Sequence, residues 1–240
     1  MRGNDFNMYV NSPDIKLSDN DQLVVWKYLD LSKFLDMLLS QKLFMSRSDK
    51  FEDQYEGTFS EPTFEEIKKI AANNPKFLDY YKSHREKVVV SSWHANEYES
   101  FAMWQIFTKN NEGLAIQSTI GRLKKALAVE KHFEQYIGEV NYIDYKKEYI
   151  PFEDTFFPFL FKRKSFQYER EIRIISDVSH SQISINEGLK IDVIINELIE
   201  KIYIHPKSEN WYKNLVVQMV KKLGYEIAIE KSDLESDILI

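Results

Sequence analysis

Apolar residues along this chain recur in two rhythms, one of strands and one of helices. "LVVWKYL" (23–29) is a short apolar run suited to a buried strand. Leu31, Phe34, Leu35, Leu38 and Leu39 then recur at helical spacing, with Asp30 placed to cap that helix. "KLFMS" reads as a second strand, and "RSDKFEDQYEGTFSEP" as an acidic loop. Thr63 with Glu66 outlines a capping box for "FEEIKKIAAN", and Pro75 opens a further helix that runs to His84. "VVVSSW" is a β-branched strand. "ESFAMWQIF" reads as a helix, with Phe101, Trp104 and Ile106 or Phe107 toward one side, and "NNEG" breaks it.

The second half continues in the same way. "LAIQS" is a strand, "IGRLKKALA" a helix, and "YIGEVNYIDY" alternates in part. Two prolines punctuate the aromatic stretch "PFEDTFFPFLFKRKSF". "EREIRIIS" alternates cleanly, with Ile172, Ile174 and Ser176 on one face and Glu171, Arg173 and Ile175 on the other. "KIYIHP" is a strand, "NWYKNLVVQMVKKLG" an amphipathic helix ended by Gly224, and "YEIAIEKS" a closing strand. Strands and helices are mixed and the strand runs are short. The pattern predicts an N-terminal arm over 1–22 and a single α+β domain over 23–240 rather than a doubly wound parallel sheet. Phe34, Leu35, Leu38, Trp104, Ile172, Ile174, Val216 and Met219 are the expected core.

Composition narrows the function classes. The 240 residues are 43% hydrophobic and 14% aromatic, enough for a sizeable core rich in flat rings. A net charge of −6 argues against general attraction to nucleic acid. There is no cysteine, which removes disulfides, thiolate zinc sites and a cysteine nucleophile, and fits a reducing compartment. The polar start has no apolar stretch of a signal peptide and no run is long enough to span a membrane, so a cytoplasmic protein is expected. Neither a dinucleotide glycine fingerprint nor a P-loop is present.

Three segments hold candidate chemistry. Asp49, Glu52, Asp53 and Glu56 cluster in the acidic loop, but the ligand order of a calcium loop is absent. In "SSWHANEYES", Ser92 and His94 share a strand face, without the elbow that exposes a hydrolase serine. His94 and Glu97 lack the spacing of a zinc helix motif. The sharper signal is "KRKSFQYEREIRII", where Glu169 and Glu171 fall on one predicted strand face, about 7 Å apart at the backbone. Arg173 extends that face, and Lys162, Arg163 and Lys164 supply nearby positive charge. Paired glutamates beside cations suit stabilisation of an oxocarbenium-like centre near a phosphate. They equally suit an exposed strand with cross-strand ion pairs.

Taken in order, "VWKYL", "KLFMSRSDKFEDQYEG", "SSWHANEYESFAMWQIFTKNNEGLAIQS", "FQYEREIRI" and a final strand ending in "EKSDL" resemble a bacterial family termed domain of unknown function 2971. The resemblance spans residues 24–232 and rests on the order of the motifs rather than on any single motif. The opening strand–helix–strand also looks, more distantly, like the first unit of ADP-ribosyltransferases of the toxin and defence type. That likeness implies a mixed, mainly antiparallel split sheet with flanking helices. It places Lys27 where the family carries His or Arg, Ser46 in the second strand, and Glu169 or Glu171 in the late catalytic strand. Lys27 departs from the family pattern, and Ser46-Arg47-Ser48 only partly echoes its Ser-Thr-Ser.

The resemblance implies cleavage of NAD as substrate, or transfer of its ADP-ribose, in a toxin-like or phage-defence role. Lys27 and Arg47 would contact the pyrophosphate, Tyr28 would stack on nicotinamide or ribose, and Ser46, Trp93 and Arg173 would complete the nucleotide site. Glu171 would stabilise the ribosyl cation and Glu169 would orient or deprotonate the acceptor. No metal ligand is assigned in this reading. A second reading is a metal-dependent nuclease in which Asp49, Asp53, Glu169 and Glu171 hold magnesium and Lys162 or Lys164 assists a phosphate. A third is a non-catalytic module whose aromatic cleft binds a nucleotide or peptide. A small-molecule nucleotide is the expected partner; the acceptor and the oligomeric state are left open.

Overall fold

In the computed structural model, residues 10, 12, 15–72, 74, 76–152, 156–179 and 185–235 are described. Helix and strand follow the order of the apolar pattern. β1 (Val24–Asp30), α1 (Leu31–Ser40) and β2 (Lys42–Arg47) come first, then α2 (Glu61–Ala71), α3 (Lys76–Arg85) and β3 (Val88–Ala95). α4 (Phe101–Phe107), β4 (Gly113–Thr119) and α5 (Ile120–Ala126) lead to β5 (Tyr136–Glu139), β6 (Asn141–Ile143) and β7 (Phe161–Arg163). β8 (Glu171–Asp177), β9 (Gly188–Asp192), α6 (Ile195–Leu198), β10 (Lys201–Ile204), α7 (Asn210–Lys222) and β11 (Ala228–Lys231) complete the chain. The short β7, β9 and α6 lie outside the elements that the pattern marks.

Among the described residues, nine strands form one open, mostly antiparallel sheet. β11, β10, β4 and β1 run side by side to β3, which also carries β8 and then β5 on its other edge. β6 and β7 form a separate parallel pair. β3 is the strand on which the sheet divides. Its end, His94 and Ala95, pairs with Trp26 and Val25 of β1, while its start, Val89 and Val90, pairs with Arg47 and Ser46 of β2. Between these contacts β1 and β2 part, and the middle of β3 faces a gap.

Side-chain alternation places two different surfaces on the sheet. Val25, Leu29, Val89, Trp93, Ile172 and Ile174 join α1, α5, α6 and α7 in the main core. The other face carries two smaller apolar clusters. One gathers Trp26, Tyr28, Met103 and Trp104 beneath α4, and the other Val88, Val90, Phe159 and Ile175. The expected core is buried at Phe34, Leu38, Trp104, Ile172, Ile174 and Val216, whereas Leu35 and Met219 are half-buried. Phe101, Ile106 and Phe107 are exposed, so of the stripe expected for α4 only Trp104 is buried, and Met103 joins it.

Local details correct two expectations. Asp30 stands at the N-cap of α1, but its carboxylate accepts from the Lys109 amide, not from the helix. No Thr63–Glu66 box forms: Ser60 occupies the N-cap of α2, and buried Thr63 exchanges hydrogen bonds with the Ile150 backbone. The described part of the 1–22 arm is held against the body. Ile15 is buried beside Leu160, and the Glu139 amide donates to the Lys16 carbonyl. The rest of the arm, and Pro75, lie outside the described residues. α7 ends as its sequence indicates, at Gly224 with a φ of 84°. No helix among the described residues is long and apolar enough to cross a membrane.

Trp104 anchors the cluster beneath α4. It is fully buried, meets Tyr28 edge-on with ring centroids 5.0 Å apart, and donates its indole N–H to Glu99 at 2.8 Å. Glu99 in turn accepts from the Ser232 hydroxyl and the Asp233 amide, which ties α4 to the chain beyond β11. Trp104→Ala should therefore cost about 3–5 kcal/mol in urea denaturation. Phe101→Ala, at an exposed position on the same helix, should stay within about 0.5 kcal/mol of wild type.

Candidate functional site

Between the two smaller apolar clusters, the outer face of β3 and β8 turns polar. Ser92 and His94 of β3 stand directly across from Arg173 and Glu171 of β8. Three further segments bring charge onto this patch. The loop after β2 supplies Glu56, β7 supplies Lys162, and the 3₁₀ turn Lys164–Glu169 supplies Glu169. Glu169 thus lies before the strand, not within it as the alternation suggests. Arg170, with a left-handed φ of 42°, separates the turn from β8. Its carbonyl accepts from the Ala95 amide and its guanidinium donates to Asn96 Oδ1 at 3.1 Å, so the turn is fixed to β3 and the residue after it.

The five charged side chains form one buried network. Lys162 Nζ donates to Glu171 Oε1 at 2.7 Å, lies 3.2 Å from Glu56 Oε1 and pairs with Glu169. Arg173 donates through Nε to Glu171 Oε2 at 2.8 Å, through Nη2 to Glu56, and through Nη1 to the Phe159 carbonyl at 2.7 Å. Each of the five is at most 7% exposed. Glu56 reaches the network because its loop presses on Phe159. A Cβ on Gly57, which has a φ of 67°, would stand 2.4 Å from that ring, so only glycine fits there. Tyr142 Oη accepts from the Glu171 amide at 2.8 Å and closes the network on the β6 side.

Burial would raise the Glu171 carboxyl, but Arg173, the hydrogen bond from Glu169 and Lys162 hold it well below the usual carboxylate range. Glu169 moves the other way. Burial, the hydrogen bond with Glu171 and that neighbour's charge push it up to about 8 against the pull of Lys162. Burial likewise opposes the charge of Lys162, but Glu171 and Glu56 more than offset it and hold the amine above an ordinary lysine. The two carboxyls titrate as a pair in which burial and the neighbouring charge disfavour ionisation of Glu169, while Arg173 and Lys162 favour that of Glu171.

The structure brings together Glu169, Glu171 and Arg173 and separates the other residues expected at the site. Lys27 belongs by alternation to the opposite face, with Ser91 and Trp93. Its Nζ enters the gap between β1 and β2 and donates to Ser91 Oγ at 3.0 Å and the Ser92 carbonyl at 3.1 Å. Burial, with Lys33 nearby, lowers it to about 8, while the Glu171 charge acts in the opposite sense. Trp93 is buried in the main core, its ring 5.4 Å from Lys27 Nζ. Tyr28 is buried against Trp104, and its hydroxyl accepts from the Ser100 amide. Ser46 and Arg47 stand level with Ile175 and Ser176 through β3. Arg47 is therefore about 17 Å along the sheet from Glu171. Its guanidinium is already committed to both oxygens of Asp49, at 2.8 and 2.7 Å.

The acids of the nuclease reading stand in separate ion-paired groups. Asp49 binds Arg47, Asp53 binds Arg163, and the two glutamates bind Lys162 and Arg173. Lys164 pairs with Glu148 at the surface. Two surface cavities, of about 480 and 540 Å³, both reach Asn196 of α6, one from Arg122 of α5 and the other from Ser40 of α1, and neither is lined by Glu169 or Glu171. The sequence marks Glu56 only as part of an acidic loop and Lys162 only as one of three neighbouring cations, and it gives no sign that the two meet Glu169, Glu171 and Arg173 in one network. No protein-family model matches this chain, and no curated protein matches it either.

Glu169 holds its proton more tightly in the folded protein than in the unfolded chain. Its contribution to stability is therefore full below pH 4.5 and is lost as pH rises to about 8. Gln cannot ionise, so Glu169→Gln should match wild type near pH 4.5 and become the more stable of the two above pH 8. Urea denaturation of both proteins across that range checks this. A stability difference that does not change with pH would show that Glu169 titrates as an ordinary carboxyl.

Proposed function

We propose that the protein cleaves the N-glycosidic bond of NAD and passes ADP-ribose to water or to an acceptor, with Glu169 and Glu171 at the reacting centre. The observation that carries this reading is a count of charges: three carboxylates and two cations meet in one buried network. A buried site with an excess carboxylate binds either a proton or a cationic group. Within the network, burial and the Glu171 charge favour the protonated form of Glu169. The nicotinamide ring of NAD is cationic, and positive charge passes to the ribose as the bond breaks. Such a group beside Glu169 displaces the proton and leaves two ionised carboxylates around it.

The proton balance closes. Binding expels one proton from Glu169. Nicotinamide then leaves as a neutral molecule, the nucleophile adds to the ribosyl carbon, and the positive charge disappears. Glu169 regains its affinity for a proton and takes it from the nucleophile. Lys162 and Arg173 keep Glu171 ionised throughout, so its charge faces the transition state without reorganisation. The sequence resemblance of the opening strand–helix–strand to ADP-ribosyltransferases supports the same chemical class. Pyrophosphate contacts from Arg47 are not retained, because Asp49 holds that guanidinium far along the sheet.

Purified protein should release nicotinamide from NAD. Glu171→Gln should slow that release on the order of 100-fold, with NAD binding retained. Calorimetry at pH 7 in buffers of different ionisation enthalpy should register proton release on NAD binding, and Glu169→Gln should abolish that proton release. NAD binding without turnover in the wild type would identify a non-catalytic module instead. Absence of binding would end the NAD reading.

A further inference from the structure

His94 is a buried polar side chain of β3 whose hydrogen bonding among the described residues is incomplete. It lies 6% exposed on β3, directly across from Glu171. Its Nδ1 sits against the Glu169 carbonyl oxygen. A carbonyl only accepts, so Nδ1 carries the hydrogen and Nε2 presents a lone pair. Burial lowers the basicity of the ring, more than the bond to the Glu169 carbonyl raises it, and the nearby Arg170 charge lowers it further. The ring is therefore neutral near pH 7. Nε2 is buried and has no hydrogen-bond partner among the described residues. A buried acceptor of this kind requires a donor.

We propose that His94 Nε2 holds the nucleophilic water of NAD hydrolysis against the ribosyl carbon beside Glu171. The inference rests on the NAD reading above and specifies its nucleophile. One O–H of the water donates to Nε2, the other faces Glu169, and an oxygen lone pair faces the carbon. As the new C–O bond forms and the C–N bond to nicotinamide breaks, the proton of that second O–H passes to Glu169, and the first stays with the oxygen as the hydroxyl of the product. His94 is thus a positioning residue that ends the cycle in the form in which it began. The same side chain holds the Glu169 backbone through Nδ1, so the nucleophile and the residue that takes its proton are set by one imidazole.

His94→Asn tests this, because Asn retains a donor in the place of Nδ1 and loses Nε2. Nicotinamide release by this variant should fall on the order of 100-fold, within the range for misplacing a proton-transfer partner. Azide is an anionic nucleophile with no proton to give and no O–H to hold. It should restore release in His94→Asn, forming the azido-ribosyl product, and should barely change the wild type. A His94→Asn variant with wild-type hydrolysis, or a slow variant that azide does not rescue, would overturn the inference and leave the NAD reading standing. A wild type that releases no nicotinamide would overturn both. Should His94→Asn fail to fold, the imidazole ¹⁵N spectrum of the wild type decides: the Nδ1–H tautomer is required, and the Nε2–H tautomer overturns the inference.

Discussion

The fold and the proposed chemistry both depend on the network of Glu56, Lys162, Glu169, Glu171 and Arg173. Burying five ionisable groups is costly unless each finds partners, and here each does. The partners come from the loop after β2, from β7, from the 3₁₀ turn and from β8. Arg173 and Glu56 alone are separated by 117 residues of chain. Removing either cation would strand carboxylates in a site that water reaches poorly, so these segments are fixed relative to one another as a unit. The same pairing keeps Glu171 ionised although it is buried. A residue that would otherwise be neutral is held as a preorganised negative charge, and the structural and chemical roles of Lys162 and Arg173 cannot be separated.

The division of the sheet follows from the same strand. β3 is apolar at its start, where Val88, Val89 and Val90 are all buried, and polar in the middle, where Ser91, Ser92 and His94 follow. β1 leaves β3 after Trp26 and β2 joins it only at Val90. Lys27 takes up the Ser92 carbonyl that a neighbouring strand would otherwise have satisfied. A lysine at this place costs solvation, which is why its amine is less basic than usual, yet it closes the gap without a strand. On the other face the polar residues of β3 meet those of β8. Two apolar clusters flank them, so the network lies between hydrophobic walls and keeps a low local dielectric.

Much of this order is legible in the sequence, and what is not has a physical cause. The alternation in "EREIRIIS" places Ile172 and Ile174 on the core face and Glu171 and Arg173 on the other, because burial on one face enforces period two. The same alternation runs without a break through Arg170 and hides the end of the strand. A left-handed residue is usually announced by Gly or Asn, and arginine gives no such signal. Thr63 has the spacing of a helix cap, but the Ile150 backbone claims its hydroxyl from a distant segment. Glu56 and Lys162 stand in segments whose local patterns are those of a loop and an aromatic run. Their meaning comes from partners more than a hundred residues away or across a turn, which no local periodicity encodes.

The asymmetry between the two glutamates follows from geometry rather than from their own chemistry. Glu171 touches both cations, and Glu169 touches only Lys162, which it shares with Glu171 and Glu56. Two carboxylates in contact cannot both ionise at no cost, so the proton goes to the one with less compensation. That residue is Glu169, at the end of a turn rather than inside the sheet. A group that holds a proton only because positive charge is lacking must yield it when positive charge is supplied. The least compensated carboxylate is thereby also the one that responds to a cationic ligand. The more compensated one, fixed by Arg173 in the middle of the sheet, stays constant. In the proposed reaction such a pair would supply a permanent negative charge for the cation and a second group whose affinity for a proton returns as the cation is consumed.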